Sequence, residues 1–479
     1  MAKDLRTYIR QVLAHDPDGI QVVDAEVDPR FGITAYAARL AKEGSYPGLF
    51  FPRVKGAELA CLSNVLTTYE RVALFLDCRV QDIPRVYGER LRNPIAPIVV
   101  EKNEAPVKEV IIDEENVDLG SLPIPTHNEM DGGPYISAGV LMIRDPETGV
   151  INAGIYRHHV FNRREMGVWF LGAHHAGLIY KKYKELGKPA PIAIAIGHHP
   201  GFLMGAVSRI QGFGKEFEAA GALMGEPLTL VEAEHSDLLV PAHAEIIIEG
   251  EILLDQDRKE GPFGEWPGHY LGDSVVPTIR VTGITYRKDA IFQDVTASGR
   301  EHLILGGVPR MGSVYHTVKA LVPGLQNVNV PYYSRMHCYL SLRKDRDADV
   351  KKAAFAALNV EQENFRAVVV VDDDIDVFNE HEVAWAVGTR FDAVRDLHVI
   401  PNWNGPGGLL PTNWEYGEDG KHRPRMSSAI IVDATKPAPP VQYPKRAVVP
   451  EEYVQQADLS RLRSFQTVEP NLSAGQFVS

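Results

Sequence analysis

The chain has 479 residues, of which 44% are hydrophobic and 24% charged, a composition that supports two or three globular domains. Its 50 basic and 63 acidic side chains give a net charge of -13, which argues against a general nucleic-acid binder. Three distant cysteines, the lack of a signal-peptide pattern and the lack of a membrane-length apolar run predict a cytoplasmic protein with reduced thiols and no membrane contact.

The N-terminal part mixes helical and extended patterns. Helices are predicted at 4–15, 34–42 and 69–76, and strands at 21–23 and 48–51. This mixture predicts an N-terminal α/β domain over residues 1–120. The run from Leu122 to His127 contains two prolines, so we expect a non-helical connector into the next domain.

The middle of the chain is rich in strand patterns. Strands are predicted at 136–143, 149–157, 192–196 and 244–254, and the runs 277–286 and 290–295 predict a hairpin. Two helices are expected, at 174–186 and 215–223. Many strands with few helices predict a β-barrel or sandwich, which we place at residues 121–305.

Helices and strands alternate from about Pro309 onward, which predicts a third domain, of α/β type, over residues 306–479. Helices are predicted at 349–358 and 380–389, the latter with Asn379 as N-cap, and a buried strand at 367–371. The proline-rich segment 435–444 predicts an extended arm, followed by a helix near 454–462.

The turn from Glu260 to Glu265, with the sequence EGPFGE, places two carboxylates on either side of residues that restrict the backbone. A rigid loop can hold two acids in different environments, so that one stays ionised while the other carries a proton. The alternative is a surface turn with two solvated glutamates, because turns with Gly and Pro are common.

Candidate partners for these acids lie further up the chain. The predicted strand 149–157 ends at Arg157, whose guanidinium could clamp a carboxylate, although a surface ion pair is the alternative. Histidine pairs begin at His158, His174 and His198. Adjacent residues on a strand face opposite sides, which disfavours zinc, whereas one histidine with an Asn and a Glu would suit Mn²⁺ or Mg²⁺ at a phosphorylated cofactor.

No Rossmann, P-loop or nucleophile-elbow motif occurs in the chain. The segments that carry a family resemblance are 152–157, 172–177, 215–225 and 260–270, with weaker support from 295–299, 373–378, 385–390 and 431–435. Together and in this order they resemble the UbiD-like decarboxylases, which use prenylated FMN. The resemblance implies an α+β fold with an N-terminal α/β domain, a central flavin-binding split β-barrel, and a C-terminal α/β domain whose extended tail helps to form a homodimer.

The resemblance also implies a role for each matching residue. Arg157, Glu260 and Glu265 correspond to a catalytic Glu-Arg-Glu network. Asn152, His175 and Glu216 correspond to the ligands of Mn²⁺ or Mg²⁺ at the cofactor phosphate, with K⁺ nearby and His174 as the alternative histidine. The implied cofactor contacts are Asn152, Ile155, Tyr156, Arg157, His175, Ala206, Val207, Ser208 and Glu216.

The implied reaction is the reversible, non-oxidative decarboxylation of an α,β-unsaturated or (hetero)aromatic carboxylic acid through a covalent adduct with the prenylated flavin. Glu265 would donate the proton, and Arg157 with Glu260 would orient the substrate carboxylate. The implied partners are the acid, CO₂, a second copy of the chain and a flavin prenyltransferase that supplies the cofactor. An FMN-dependent oxidoreductase on a similar barrel and a non-catalytic subunit of a decarboxylase complex are the alternatives.

Overall fold

The computed structural model describes residues 2–170, 174–208, 212–362, 364–405, 409–417 and 422–462. Contacts divide the chain into two units, Met1–Thr435 and Lys436–Ser479. The helices of the first unit are α1 (Leu5–His15), α2 (Gly32–Lys42), α3 (Tyr69–Leu76), α4 (Ile83–Leu91), α5 (His175–Glu185), α6 (Pro200–Ala206), α7 (Glu216–Met224), α8 (Arg300–Leu321), α9 (Ala348–Val360), α10 (Glu380–Arg390) and α11 (Ala393–Asp396). In the described ranges, no helix is both long and apolar enough to cross a membrane.

The strands of the first unit form several sheets. In chain order they are β1 (Ile20–Val22), β2 (Gly48–Phe51), β3 (Ala60–Ser63), β4 (Ile98–Val99), β5 (Val110–Asp113), β6 (Tyr135–Ile136), β7 (Val140–Arg144), β8 (Ile151–Ile155), β9 (His158–Val160), β10 (Glu165–Val168), β11 (Ala190–Ile196), β12 (Thr229–Glu232), β13 (Leu239–Pro241), β14 (Ile246–Glu260), β15 (Phe263–Gly264), β16 (Tyr270–Leu271), β17 (Ser274–Tyr286), β18 (Ile291–Asp294), β19 (Leu325–Asn329), β20 (His337–Leu342), β21 (Ala367–Asp372), β22 (Leu397–Trp403), β23 (Trp414–Tyr416), β24 (His422–Pro424) and β25 (Ser427–Ala434).

The N-terminal sheet has the order β1–β2–β3–β18. The predicted hairpin of 277–286 with 290–295 is wrong, because β18 leaves β17 and pairs in parallel with β3. The buried carboxylate of Asp294 accounts for this placement. It accepts a hydrogen bond from Ser63 Oγ of β3 at 3.0 Å and lies 2.8 Å from Nε2 of the buried His127.

The central sheet has the order β6–β9–β10–β17–β14–β11–β7–β8, with β5 also paired to β17, and it curls into a half-barrel. Period-two alternation along β11 sets its two faces. Ile192 and Ile194 pack into the cluster that includes α5, whereas Ala193 packs into the cluster that includes α6 and α7. The predicted strand 136–143 is two strands, β6 and β7, because β6 pairs with β9 whereas β7 pairs with β8 and β11.

The C-terminal sheet has the order β19–β20–β21–β25–β22. Helices α9 and α10 and strand β21 confirm the three predicted elements, although Asn379 makes no side-chain cap hydrogen bond. Helix α8 begins at Arg300 and contains Pro309, so alternation begins earlier than predicted. The boundary at 305/306 falls inside this helix, and the division into domains at 120/121 and 305/306 stays a prediction. The predicted α+β fold class is confirmed.

The second unit was predicted as an extended arm and a helix. Residues 436–450 form no helix or strand, and α12 (Glu451–Gln456) with the 3-10 turn Leu459–Arg461 occupies the region of the predicted helix. Several of its apolar side chains are exposed, namely Val441, Val448, Val449, Tyr453, Val454, Leu459 and Leu462. Residues 463–479 lie outside the described part of the chain, as do Gly172 and Ala173 of the segment 172–177.

Candidate active site

The turn between the two glutamates is fixed at both ends. Glu260 is the last residue of β14, where it pairs with Ser274 of β17. Gly261 follows with a φ of 99°, a left-handed conformation that favours glycine. The short β15–β16 ribbon then closes the turn, with the Glu265 amide donating to His269 O at 2.9 Å. The backbone of each glutamate is therefore held by a strand or a turn, as expected for a rigid loop.

Arg157, just beyond β8, joins the two carboxylates. Its Nη2 donates to Glu260 Oε2 at 2.9 Å and its Nη1 to Glu265 Oε1 at 2.5 Å. The guanidinium carbon lies 4.2 Å from the ring centroid of Trp169 and 4.9 Å from that of Phe263. The exposed fractions of Arg157, Glu260 and Glu265 are 7%, 1% and 8%. The alternatives of solvated glutamates and a surface ion pair are therefore wrong.

The two carboxylates differ in their remaining contacts. Glu260 Oε1 accepts a hydrogen bond from the Tyr135 hydroxyl at 2.9 Å, so both of its oxygens have a strong donor. Glu265 Oε2 accepts a longer bond, 3.3 Å, from the amide of Trp266. The Glu265 backbone carbonyl accepts a hydrogen bond from Ser298 Oγ at 2.5 Å. This bond holds the main chain and does not involve the side-chain carboxylate. Of the two carboxylates, Glu265 is thus the one whose hydrogen bond to Arg157 is more easily replaced by another group.

The segment 128–135, which lies against the turn, was not predicted from the sequence to belong to the site. The Gly132 amide donates to Pro262 O at 2.8 Å, and a Cβ on Gly132 would lie 2.3 Å from Gly261 O. The sequence signal was the pair of consecutive glycines before Tyr135, since glycine near a strand often marks the close approach of another backbone. Trp169 carried no comparable signal.

A second cluster lies at the start of β8, at the other end of this strand from Arg157. Asn152 Nδ2 donates to Glu216 Oε1 at 3.0 Å, and the Ala153 amide to Glu216 Oε2 at 3.4 Å. Burial raises the pKa of Glu216, although hydrogen bonds from its own backbone, Ala153 and Asn152 lower it. Asn152 Oδ1 is buried without a hydrogen-bond partner. Two of the three predicted metal ligands therefore come together.

The surroundings of the third predicted ligand, His175, differ from those of the buried Asn152 and Glu216. His175 begins α5, is exposed, and has its ring centroid 4.9 Å from that of Phe213, three residues before α7. The ring of the alternative, His174, lies 5.8 Å from that of Tyr156. Within the described ranges, no three His, Cys, Asp or Glu side chains form a group that could hold a metal. The assignment of His175 stays a prediction.

The other predicted cofactor contacts lie near the same strand. Ile155 ends β8, and burial raises the pKa of the following Tyr156 to about 12. Ala206 ends α6, Val207 follows it, and Ser208 Oγ donates to Gly205 O at 2.7 Å. A Cβ on Gly205 would lie 2.6 Å from the amide nitrogen of Ala220, so α6 lies directly on α7, the helix that begins with Glu216.

Family models match consecutive parts of the chain. They are the N-terminal domain of 3-octaprenyl-4-hydroxybenzoate carboxy-lyase over residues 15–91, its Rift-related domain over 98–301 and its C-terminal domain over 303–407. With the half-barrel fold and the relatives that follow, these matches show that the chain belongs to the UbiD family and is a carboxy-lyase.

The chain is similar to several known members of the family. It is 34% identical over 390 residues to the anhydromevalonate phosphate decarboxylase of Methanothermobacter thermautotrophicus, covering 80% of this chain and 88% of the relative. It is 31% identical over 459 residues to the phenolic acid decarboxylase of Sedimentibacter hydroxybenzoicus, covering 92% and 93%. The UbiD-class enzyme HmfF from Pelotomaculum thermopropionicum, in complex with FMN, superposes with a TM-score of 0.87 at 35% identity over 95% of this chain and 99% of that chain. An evolved dimeric form of HmfF in complex with prFMN gives 0.84 at 33% identity over 96% and 99%.

Proposed function

We propose that this carboxy-lyase uses prenylated FMN for the reversible, non-oxidative decarboxylation of an α,β-unsaturated or (hetero)aromatic carboxylic acid. The observation that carries the proposal is the buried arrangement of Arg157 between Glu260 and Glu265. The FMN and prFMN complexes of HmfF support the cofactor, and the phenolic acid decarboxylase supports an aromatic acid as one candidate substrate.

The cluster at the start of β8 fits a divalent metal at a cofactor phosphate. The unpartnered Asn152 Oδ1 and the Glu216 carboxylate offer two buried oxygens, and no described lysine or arginine side chain pairs with Glu216. Oxygen ligands suit Mn²⁺ or Mg²⁺, and His175 would add a nitrogen ligand. Ile155, Tyr156 and residues 206–208 would contact the cofactor, with K⁺ nearby. The bound prenylated flavin would supply the covalent electron sink that lets CO₂ leave an sp² carbon.

The chain's own groups then bind the acid and move the proton. Arg157 has the fork of donors that binds a carboxylate, and Glu260 keeps the guanidinium in its orientation. Trp169 and Phe263 cover the guanidinium, which keeps water from competing for it. Glu265 gives a proton to the carbon that has lost CO₂, and takes one back in the reverse direction.

The metal and cofactor residues can be tested by composition. Asn152→Ala and Glu216→Gln are each expected to purify with less than about a tenth of the wild-type metal and flavin, because neighbouring ligands act together. Metal analysis and the flavin absorbance of the purified proteins measure this loss. Asn162→Ala is the matched control, since it removes only exposed hydrogen bonds, one to the Glu165 carboxylate at 2.6 Å and two from the amides of Arg164 and Glu165. Wild-type content in Glu216→Gln would contradict the site.

The same measurement decides between the two histidines. His175→Ala is expected to lose metal and flavin, and His174→Ala to retain both. The opposite result would transfer the assignment to His174, and retention by both variants would exclude a histidine ligand at the start of α5.

The reaction itself can be tested by isotope exchange. Cofactor-loaded enzyme is incubated in D₂O with a panel of unsaturated, aromatic and heteroaromatic acids, and the products are analysed by mass spectrometry. Decarboxylated products carrying one deuterium at the former carboxyl carbon are expected. Reversible bleaching of the flavin by NAD(P)H, with no CO₂ release from any acid, would support an oxidoreductase instead.

We also propose that the enzyme forms a homodimer and that a flavin prenyltransferase supplies its cofactor. The exposed apolar side chains of the second unit and the dimeric form of HmfF support self-association. Light scattering of the full chain and of a chain ending at Thr435 tests the first point. A dimer that persists without residues 436–479 would exclude the tail as the interface.

A further inference from the structure

We propose that Tyr135 is a positioning residue that keeps Glu260 on Arg157, and thereby leaves Glu265 as the acid that exchanges partners. The roles of the two glutamates rest on the proposed function above, whereas the contact between Tyr135 and Glu260 does not. Tyr135 lies in the segment 128–135, before the strands that carry the rest of the site.

The Tyr135 hydroxyl acts as a fixed donor. It lies 2.9 Å from Glu260 Oε1, and the residue is completely buried. Burial, and then the neighbouring Glu260 carboxylate, raise the pKa of Tyr135. The hydroxyl therefore keeps its proton and always donates to Glu260, which in turn accepts from Arg157 through its other oxygen.

The Tyr135 ring is held on two sides, so its hydroxyl has one direction. It stacks on the ring of His159, with centroids 4.5 Å apart and an angle of 16°, and its centroid lies 4.5 Å from that of Phe263. Phe263 also covers Arg157, which places both aromatic contacts in one packed group. A Cβ on Gly133 would lie 2.7 Å from His159 Nε2, so the glycine allows this stack.

The segment that carries Tyr135 is tied to the glutamate turn. The Gly264 amide donates to Asp131 Oδ1 at 2.9 Å, and the Gly132 amide donates to Pro262 O at 2.8 Å. Both bonds attach the segment to the residues between Glu260 and Glu265. Tyr135 and the turn therefore keep a constant relative position, which an anchor for Glu260 requires.

The anchor decides what happens when a substrate carboxylate reaches Arg157. The incoming anion competes with the two glutamates for the same N–H donors. Glu260 has a strong donor on each oxygen and stays, whereas Glu265 has its strong bond to Arg157 alone and gives it up. The substrate then takes the place of Glu265 on the guanidinium, and Glu265 lies free beside it to carry the proton.

Tyr135→Phe removes the hydroxyl and keeps the ring. We expect the KM for the acid to rise by roughly tenfold or more, with a smaller change in kcat, because a hydrogen bond to a charged group is lost. Binding of the decarboxylated product, followed by flavin absorbance of the holoenzyme, is expected to stay unchanged. Tyr270→Phe is the matched control, since the Tyr270 hydroxyl accepts from the Met130 amide of the same segment at 3.0 Å and contacts neither glutamate.

A double-mutant cycle tests whether Tyr135 acts through Glu260. Tyr135→Phe is expected to add little to the loss already caused by Glu260→Ala, because Glu260→Ala removes the carboxylate that accepts from the Tyr135 hydroxyl. Additive losses, equal weakening of acid and product, or an equal effect of Tyr270→Phe would overturn the proposal. If the wild type converts no acid, the proposed function fails, and the same cycle measured by thermal unfolding still tests the contact, with additive Tm shifts as the overturning result.

Discussion

Glu265→Gln is expected to abolish turnover, with kcat lower by roughly 10²–10⁴-fold, the range of a lost general acid. The amide is nearly isosteric, its oxygen can still accept from Arg157 and the backbone bond to Ser298 is kept, so only the long bond from the Trp266 amide is lost. It has no proton to give to the carbon that has lost CO₂. Product formation by chromatography, together with flavin and metal content, separates a lost proton donor from a lost cofactor.

Glu129→Gln provides the matched control for this prediction. Glu129 belongs to the segment beside the glutamate turn, but its side chain is exposed, so the variant makes the same chemical change outside the buried group. It is expected to keep full activity. Full activity in Glu265→Gln would instead show that another group, or water, delivers the proton.

The turn from Glu260 to Glu265 and the strand pattern that leads to Arg157 carry local signals, whereas the grouping of the three residues was implied only by the family resemblance. Glycine and proline between Glu260 and Glu265 restrict the turn whatever surrounds it. Arg157 comes at the end of a strand pattern whose period of two is set by burial on one face. Each signal depends on a few neighbouring residues, so the structure reproduces it.

The parts that were not predictable depend on contacts between distant residues. Strand β18 has the pattern of a hairpin partner for β17, but its Asp294 forms hydrogen bonds with Ser63 and His127, which are far away in sequence. Alternation of helices and strands was expected from about Pro309, but α8 begins at Arg300 and continues through this proline. Tyr135 reads as an ordinary buried aromatic until Glu260 is placed beside its hydroxyl.

In the predicted metal site, Asn152 and Glu216 are in contact, whereas the assignment of His175 stays a prediction. Asn152 and Glu216 come together because β8 and the start of α7 are adjacent in the fold. His175 starts a different helix, and it was chosen over His174 only from the family resemblance. The resemblance indicates where the helix starts, but the direction of each histidine side chain depends on tertiary packing.

Arg157 is the other residue whose replacement is expected to have a large effect, on both folding and activity. Arg157→Leu leaves two neighbouring carboxylates buried without their shared cation, so the free energy of unfolding is expected to fall by about 3–5 kcal/mol at neutral pH. Arg157→Lys keeps a positive charge but lacks the planar fork that reaches Glu260 and Glu265 together. In Arg157→Lys, the free energy of unfolding is expected to fall by less than in Arg157→Leu. The KM for the acid is expected to rise roughly tenfold or more.

Chemical denaturation and steady-state kinetics of the two variants measure these effects separately. Arg258→Lys is the control, since Arg258 also pairs with a glutamate, Glu165 at 2.6 Å, and lies 5.5 Å from an aromatic ring centroid, but its side chain is 42% exposed. An exposed pair of this kind contributes about 0–1 kcal/mol, so the control is expected to change little. Adding Glu265→Gln to Arg157→Leu should restore part of the lost stability, because one of the two unpaired charges is removed. An unchanged free energy of unfolding in Arg157→Leu would mean that the two carboxylates become hydrated or protonated without the guanidinium. This result would contradict the role of Arg157 as their shared partner.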